Sequence, residues 1–255
     1  MEVRSVMITG ANRGIGLEFV RQFVKLPNPP SFVFATYRNE NTLQDLIDIQ
    51  KKHDETHIVL IKMDVSKKSE IENAKKIVEE TVGEKGLNLL INSAGIATFL
   101  GFPEITEEDM LFNFTINTIG PVMVLQVMFP LLKIAAAQKT SGMSVSRAAA
   151  INISSTKGSL NELIDGQPKD WLKVFGYRTS KAALNMAMRV VALTIKDQGI
   201  LVVNMCPGWV KTDMGTDQAT LEPSESISAM LKTFSNLNES HHGTLLDRNG
   251  NTIPF

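Results

Sequence analysis

The sequence predicts a doubly wound α/β fold, in which helices cover both faces of one parallel β-sheet. Three observations predict it. Short apolar segments rich in β-branched residues alternate along the 255 residues with longer segments of helical periodicity, which implies βαβ units. The strand segments are apolar throughout, as strands covered on both faces are. No repeat or linker divides the chain, so a single domain is expected.

Each predicted strand is a short apolar run that ends at a turn or at a polar segment. The first run precedes three glycines, and later runs follow helical segments. The predicted strands are Val3–Thr9, Ser31–Tyr37, His57–Met63, Leu87–Ile91, Ala149–Ile153, Ile200–Met205 and Gly243–Leu246, with a turn at 247–250 after the last.

The predicted helices fill the intervals between these strands. Ile15, Phe19 and Phe23 recur at helical spacing, and the prolines at 27, 29 and 30 end that helix. Ser66 is predicted to be the N-cap of a helix that runs to about Val82. The remaining predicted helices are Thr42–Lys52, Asn117–Gln138 and Tyr177–Asp197.

The composition is that of an ordinary globular protein, with 43% hydrophobic residues, 21% charged residues and a formal net charge of −1. This balance argues against a nucleic acid or an anionic membrane surface as the main partner. The sole cysteine, Cys206, cannot form an internal disulfide, and we recognise no secretory leader and no apolar run of membrane-spanning length. A cytoplasmic location is therefore expected, and no metal site is assigned.

A glycine-rich turn joins the first strand to the first helix. Gly10 permits a tight turn, Gly14 lets the backbone approach a ligand, and Gly16 lets the helix pack close to the sheet. The N–H groups at the start of that helix offer the positive end of its dipole to a phosphate. Because a strand precedes the loop and an amphipathic helix follows it, a dinucleotide pyrophosphate is the expected ligand.

The end of the second strand indicates which dinucleotide binds. An acid there would favour NAD by binding the ribose 2′-hydroxyl, but the chain has Arg38 and no acid. Arg38 and Arg13 of the glycine loop are suited to a 2′-phosphate, so NADP(H) is predicted; the alternative is a pair of solvated arginines. Asp64, after the third strand, either accepts a hydrogen bond from the adenine or caps the next helix.

A tyrosine and a lysine one helical turn apart form the expected proton-transfer pair. A nearby Lys181 ammonium would lower the pKa of the Tyr177 phenol from about 10, so that Tyr177 could protonate a carbonyl oxygen when hydride arrives. Ser154 and Ser155 follow the fifth strand, where a hydroxyl would hold that oxygen; the alternative is a turn-forming pair. A serine hydrolase is discounted because no histidine stands in a triad position.

Together and in this order, the motifs resemble the short-chain dehydrogenase/reductases over essentially the whole chain. The residues that carry the resemblance are Thr9-Gly10-x-x-x-Gly14-x-Gly16, Asn92-Ser93-Ala94-Gly95, Ser155, Tyr177-x-x-x-Lys181 and Pro207-Gly208. Segments 12–14, 177–181, 207–214 and 247–250 are similar to the sniffer-type carbonyl reductases and to bacterial C-factor-like proteins. The resemblance implies a Rossmann-type sheet, with a cofactor-binding half over about residues 1–150 and a catalytic and substrate-binding half over about 151–255.

The resemblance also implies roles for individual residues. Tyr177 would be the general acid, Lys181 would lower its pKa and bind the nicotinamide ribose, and Ser155 would orient the carbonyl. Asn117 would hold a water of the proton relay, unless it only caps a helix. The residues expected to contact NADP(H) are Gly10, Asn12, Arg13, Gly14, Ile15, Gly16, Arg38, Asp64, Val65, Asn92, Ala94, Gly95, Tyr177, Lys181, Pro207, Gly208, Val210 and Thr212. The implied reaction is NADPH-dependent reduction of a carbonyl compound to an alcohol.

The chain departs from the family pattern where the substrate is expected to pass. Asn161–Lys173 is inserted between the catalytic serine and tyrosine, so relatives are a weak guide to substrate preference. The side chains expected to line the pocket are Phe99, Leu100, Trp171 and Trp209, which would suit a hydrophobic aldehyde, ketone or quinone. Four further apolar residues, Leu221, Ile227, Met230 and Phe234, form either a lid or ordinary core positions of a helix.

The same residues bear on the alternative functions and on the assembly state. A redox-sensing or signalling protein that binds NADP(H) with little turnover is the main alternative, although a pure binder has no need of the full catalytic set. An NAD-dependent oxidising dehydrogenase conflicts with Arg38, and an epimerase would need a longer chain. The two long helices often mediate dimers in this family, so a homodimer is expected.

Overall fold

The structure, a computed structural model, describes residues 2–139 and 142–255 and contains one sheet of seven parallel strands. Every predicted strand is present, although most begin or end a few residues inside the predicted bounds. The strands are β1 (Ser5–Ile8), β2 (Phe32–Tyr37), β3 (His57–Lys62), β4 (Leu89–Asn92), β5 (Ala149–Ile153), β6 (Leu201–Cys206) and β7 (Leu245–Asp247).

The strand order is β3-β2-β1-β4-β5-β6-β7, so the chain reverses its direction of travel across the sheet between β1 and β4. Helices cover both faces, and the predicted doubly wound Rossmann-type fold is confirmed. The carboxyl ends of β1 and β4 diverge at this switch point, which is where open α/β sheets bind ligands.

Eight helices connect the strands within the described residues. They are α1 (Gly14–Phe23), α2 (Gln44–Lys52), α3 (Lys68–Val82), α4 (Glu107–Phe114), α5 (Gly120–Ala137), α6 (Lys169–Leu172), α7 (Phe175–Thr194) and α8 (Pro223–Phe234). The prediction that Ser66 caps α3 was wrong: Lys67 occupies that position, and the Ser66 hydroxyl donates to Asp64 Oδ1 at 2.7 Å. Ser66 therefore belongs to the turn that follows β3.

The long helix that the sequence predicts to begin at Asn117 begins ten residues earlier, at Glu107. Thr106 caps it, its hydroxyl accepting from the backbone N–H of Asp109 at 3.1 Å. A π-helical turn at Thr115–Ile119 joins α4 to α5 and carries Asn117. The combined helix, Glu107–Ala137, is long enough to span a membrane, and one 18-residue stretch of it has a mean hydropathy of 1.8. Half of that stretch is buried inside the fold, as in a core helix.

Alternate strand residues build the two layers of the core. On one face Ile8, Ile91 and Met205 pack with α1, α2 and α8. On the other face Met7, Leu90 and similar residues pack with α3, α5 and α7. Because strand side chains alternate between faces, a continuous apolar strand supplies both layers.

Three residues predicted as either lid or core belong to the first of these layers. Ile227, Met230 and Phe234 of α8 are buried, and the Phe234 ring stacks on Phe19 of α1 with centroids 6.0 Å apart. Leu221 is only partly buried and pairs through its backbone with the residue at 210. The core reading is thus correct for the α8 residues.

A row of asparagine side chains crosses three strands in the centre of the sheet. Asn92 of β4, Asn152 of β5 and Asn204 of β6 stand in register, and all three are buried. Asn92 Nδ2 donates to Asn152 Oδ1 at 2.8 Å, and Asn152 Nδ2 donates to Asn204 Oδ1 at 3.2 Å. Hydrogen bonding along the row offsets part of the cost of burying the amides in an apolar sheet, while Asn92 Oδ1 and Asn204 Nδ2 at its two ends have no partner among the described residues.

Candidate active site

A cleft of about 620 Å³ opens at the switch point of the sheet. It runs from the ends of β2 and β3 across the glycine loop to the ends of β4 and the loop after β6. Most of the predicted cofactor contacts line it: Gly10, Asn12, Arg13, Gly14, Ile15, Gly16, Arg38, Asp64, Val65, Ala94, Gly95 and Thr212.

The glycine loop has a backbone that a side chain would obstruct. Gly10 and Gly14 have positive φ values of 63° and 52°. A Cβ atom on Gly16 would lie 2.3 Å from the carbonyl oxygen of Gly10, so α1 could not approach the loop so closely with any other residue. No side chain caps the N-terminus of α1 at Arg13, which leaves its first N–H groups free for an anion.

Two threonine hydroxyls, to which the sequence assigned no individual role, fix the loops around the cleft. The backbone N–H of Gly10 donates to Thr36 Oγ1 at 3.2 Å, which ties the glycine loop to β2. Thr9 Oγ1 accepts from the N–H groups of Ser93 and Ala94, each at 3.0 Å, which ties the loop after β4 to β1. Their sequence signal is weak, because threonine is common in strands.

Arg13 and Arg38 both line the cleft, as the prediction of a 2′-phosphate site requires. Arg13 Nη1 also forms a salt bridge of 2.7 Å with Asp213, which lies in the loop after β6. The side chains of Arg13 and Asp213 are largely exposed, at 58% and 77% of their surface. The pair thus crosses the mouth of the cleft from the glycine loop to the opposite wall.

Asp64 serves the turn after β3. Burial alone would raise the pKa of its carboxyl, but hydrogen bonds from the Ser66 N–H and hydroxyl, together with the positive charges of Arg38 and Lys67, hold that pKa below its usual value. Asp64 therefore presents a carboxylate at the cleft, close to Arg38, while it stabilises the local turn.

Asn117 and Lys181 both lie next to Gly95, which lines the cleft. Asn117 Oδ1 accepts from the Ile96 N–H at 2.9 Å, and Asn117 Nδ2 donates to the Ile96 carbonyl at 2.9 Å and to Ser180 Oγ at 3.0 Å. A Cβ on Gly95 would lie 3.2 Å from Asn117 Oδ1 and 3.8 Å from Lys181 Nζ. The π-helical turn thereby connects the loop after β4 to α7. Asn117 therefore does more than cap a helix.

The serine doublet after β5 divides into two functions. Ser154 is buried, and its hydroxyl donates to Asn185 Oδ1 on α7 at 2.6 Å. Ser155 Oγ accepts from the Lys157 N–H at 3.0 Å, which leaves the Ser155 proton available to another acceptor. Ser155 also forms a hydrogen bond with Tyr177. The geometry thus brings Ser155, and not Ser154, to the tyrosine.

The pKa of Tyr177 lies opposite to the expectation from the sequence. Burial raises the pKa of the phenol to about 12, and the hydrogen bond with Ser155 offsets only part of this rise. Lys181 does not lower it in this structure, because the Lys181 ammonium lies 5.7 Å from the centre of the tyrosine ring and donates to the Ile153 carbonyl at 2.7 Å. Burial lowers the pKa of Lys181 itself to about 8.

Six of the predicted cofactor residues do not line this cleft: Tyr177 and Lys181, which are described above, and Asn92, Pro207, Gly208 and Val210. Asn92 belongs to the buried asparagine row. Pro207, Gly208 and Val210 belong to the loop after β6, where the Pro207 carbonyl accepts from Ser226 of α8 at 2.7 Å. The Val210 carbonyl accepts at 3.4 Å from the hydroxyl of Thr212, which does line the cleft.

Known proteins resemble this chain along most or all of its length. The family model for short chain dehydrogenases matches residues 4–222. The NADPH-bound carbonyl reductase from chicken fatty liver is 41% identical with a TM-score of 0.93, and the carbonyl reductase Sniffer of D. melanogaster is 34% identical with a TM-score of 0.93. Each of these two alignments covers 100% of this chain and 100% of the known structure.

Among curated proteins, the C-signal of Myxococcus xanthus is 34% identical over 170 residues, which is 66% of this chain and 93% of that protein. The resemblance to sniffer-type carbonyl reductases and C-factor-like proteins, inferred from short motifs, is therefore confirmed over long alignments.

Proposed function

The chain belongs to the short-chain dehydrogenase family, and on that premise we propose that it reduces apolar aldehydes, ketones or quinones to alcohols with NADPH. The observation that carries the proposal is the grouping of Tyr177 with Ser155 and with the buried Lys181, whose Nζ lies 5.7 Å from the centre of the tyrosine ring. Burial raises the pKa of the Tyr177 phenol to about 12, so Tyr177 holds its proton at neutral pH, as a general acid in reduction must.

The residues of the cleft fit NADP(H). The glycine loop and the free N-terminus of α1 suit a pyrophosphate, and Arg13 and Arg38 suit a 2′-phosphate. The chicken carbonyl reductase, 41% identical, binds NADPH. When bound, the cofactor supplies a hydride. Asn12, Asp64 and Ala94 complete the proposed contacts.

The catalytic residues divide the remaining work. Ser155 donates a hydrogen bond to the carbonyl oxygen and so fixes its position near the Tyr177 hydroxyl. Tyr177 protonates that oxygen as negative charge develops on it. The protonated Lys181, whose Nζ lies 5.7 Å from the centre of the Tyr177 ring, then returns a proton to the phenolate.

The preference for apolar substrates rests on the surface around Tyr177. More than half of the large hydrophobic side chains that are exposed in the described residues lie in three segments, 99–102, 160–172 and 209–214. These segments follow β4, β5 and β6, and we call them the apolar rim. Exposed apolar surface concentrated at one edge of a sheet is typical of a binding site.

A homodimer in the cytoplasm completes the proposal. A second group of exposed apolar side chains lies on the adjoining helices α4 to α5 and α7: Leu111, Phe112, Ile119, Met186, Val190 and Leu193. Association through these helices would bury them. The group is separate from the apolar rim, so a dimer would leave the cleft open.

The test follows NADPH consumption by absorbance with aromatic ketones, quinones and medium-chain aldehydes. We expect wild-type turnover with NADPH to exceed that with NADH, and Tyr177→Phe to abolish it while the variant still binds NADPH. NADPH binding without turnover of any carbonyl would favour the alternative, an NADP(H)-binding redox sensor or signalling protein. A preference for NADH would contradict the roles of Arg13 and Arg38.

A further inference from the structure

The segment between the two catalytic residues Ser155 and Tyr177 is held from the helix side by Arg178. This arginine follows the catalytic tyrosine directly and is only 8% exposed. Arg178 Nε donates to the carbonyl of Trp171 at 3.1 Å, and Nη2 donates to Gln167 Oε1 at 3.0 Å. The side-chain hydrogen bonds of Arg178 are therefore made to the inserted segment, residues 161–173, and not within α7.

Lys157 holds the same segment from the serine side. Its backbone N–H donates to Ser155 Oγ at 3.0 Å, while its ammonium lies 3.7 Å from the centre of the Trp171 ring, a close cation–π contact. Trp171 thus joins the catalytic serine turn to the catalytic helix through Lys157 and Arg178.

This arrangement is maintained although it places two cations near each other. Burial, together with the positive charge of Arg178, lowers the pKa of Lys157 to about 8, and burial also lowers the pKa of Arg178. The salt bridges of the described residues include neither side chain. Both cations contact Trp171. The Lys157 ammonium lies over the indole ring, and the Arg178 guanidinium donates to the Trp171 carbonyl.

The segment also closes against the opposite side of the apolar rim. The Phe175 N–H donates to the Leu100 carbonyl at 3.3 Å. A Cβ on Gly101 would lie 3.2 Å from Cα of Lys173, so the two backbones are in close contact. Trp171 itself remains 45% exposed, with Lys157 on one face of its ring. The uncovered part of the indole is a rigid apolar surface within the rim.

We propose that Trp171 is a specificity-determining residue that packs against the bulky apolar part of the carbonyl substrate. Arg178, through the Trp171 carbonyl, and Lys157, through the indole ring, are positioning residues that hold it. The inference rests on the proposed carbonyl reduction. Flat aromatic ketones and quinones gain most from this surface, because an indole of fixed orientation stacks with them at little cost in conformational entropy. Small aliphatic aldehydes reach Tyr177 without touching it.

The test compares propanal with acetonaphthone in steady-state assays at saturating NADPH. For Trp171→Ala we expect KM for acetonaphthone to rise by about ten-fold or more, with kcat and the KM for propanal changed less than about two-fold. Arg178→Met should reproduce this selective rise although the indole is still present, and Arg178→Lys should recover part of it. Lys157→Met should give a smaller rise in the same direction.

Ile77→Ala, an exposed apolar residue of α3 far from the rim, is the control and should match wild type. Equal changes for both substrates, or none, would overturn the inference. If wild type reduces no carbonyl, the proposed function fails, and the inference is then judged by binding in Trp209→Phe, which leaves Trp171 as the sole tryptophan. Quenching of Trp171 emission by acetonaphthone would support it, and unchanged emission up to the solubility limit would refute it.

Discussion

Replacing the buried amine in Lys181→Met should change how the stability of the fold depends on pH. Burial lowers the pKa of Lys181 from 10.5 to about 8, and each unit of pKa corresponds to about 1.4 kcal/mol, so the folded state holds the charged amine at a cost of about 3 kcal/mol. The hydrogen bond from Lys181 Nζ to the Ile153 carbonyl returns about 1 kcal/mol. Near neutral pH, the methionine variant should therefore be more stable than wild type by about 2 kcal/mol.

The sign of the difference should reverse in base. Between the folded pKa of about 8 and the unfolded value of 10.5, the folded lysine has lost its proton while the unfolded lysine retains it, so wild-type stability rises with pH. The variant lacks this rise, and near the top of the range it should be less stable than wild type by about 1 kcal/mol, the value of the lost hydrogen bond.

Urea denaturation followed by circular dichroism, from about pH 7 to about pH 10.5, measures this difference. Lys157, whose pKa is also about 8, is present in both proteins, so its titration cancels in the comparison. A difference in unfolding free energy that stays constant across this range would refute the account of Lys181 as a desolvated amine. The variant should be inactive at every pH, so that stability is gained where function is lost.

Three further changes test the loop, the cleft and the core. Gly16→Ala places a Cβ 2.3 Å from a backbone oxygen and should cost about 1–3 kcal/mol and abolish NADPH binding in a fluorescence titration, whereas Gly83→Ala, with open space around its Cβ, should cost about 1 kcal/mol and leave binding intact. Asp213→Asn releases Arg13 from its exposed salt bridge and should tighten NADPH binding by up to about five-fold without affecting NADH; weaker NADPH binding would contradict the 2′-phosphate role. Phe234→Ala empties a fully packed site between α8 and α1 and should lower the unfolding free energy by about 3–5 kcal/mol in urea titrations, and a loss under about 1 kcal/mol would show that α8 repacks.

The sequence predicted the sheet and most of the residues that line the cleft, because both depend on short-range patterns. Continuous apolar runs identified every strand, and glycines followed by a helical period identified the glycine loop of the cleft. The same reasoning missed α4, although Thr106 followed by Glu107, Glu108 and Asp109 is a strong start signal for a helix. The apolar run beyond it dominated the prediction.

What the sequence could not provide is the partner of each polar side chain. Tyr177 and Lys181 are one turn apart, which suggested a direct effect of the ammonium on the phenol. The fold instead gives the amine to the Ile153 carbonyl, which lies on a strand far away in sequence. Likewise, nothing near Arg13 in the sequence indicates its salt bridge with Asp213. Such contacts depend on the packing of distant segments.

The asparagine row has a consequence for how accurately the loops at the cleft are aligned. Parallel strands made only of apolar residues can slide past one another with little change in packing, but a row of buried amides matches in one register alone. A slip of either neighbour would leave amides without partners, at about 1–3 kcal/mol for each group. Asn152 therefore fixes the register of β5 against both β4 and β6. Because Ser155 follows Asn152 by three residues and Gly95 follows Asn92 by three, the row fixes Ser155 and Gly95 of the cleft wall at matching positions beyond their strands.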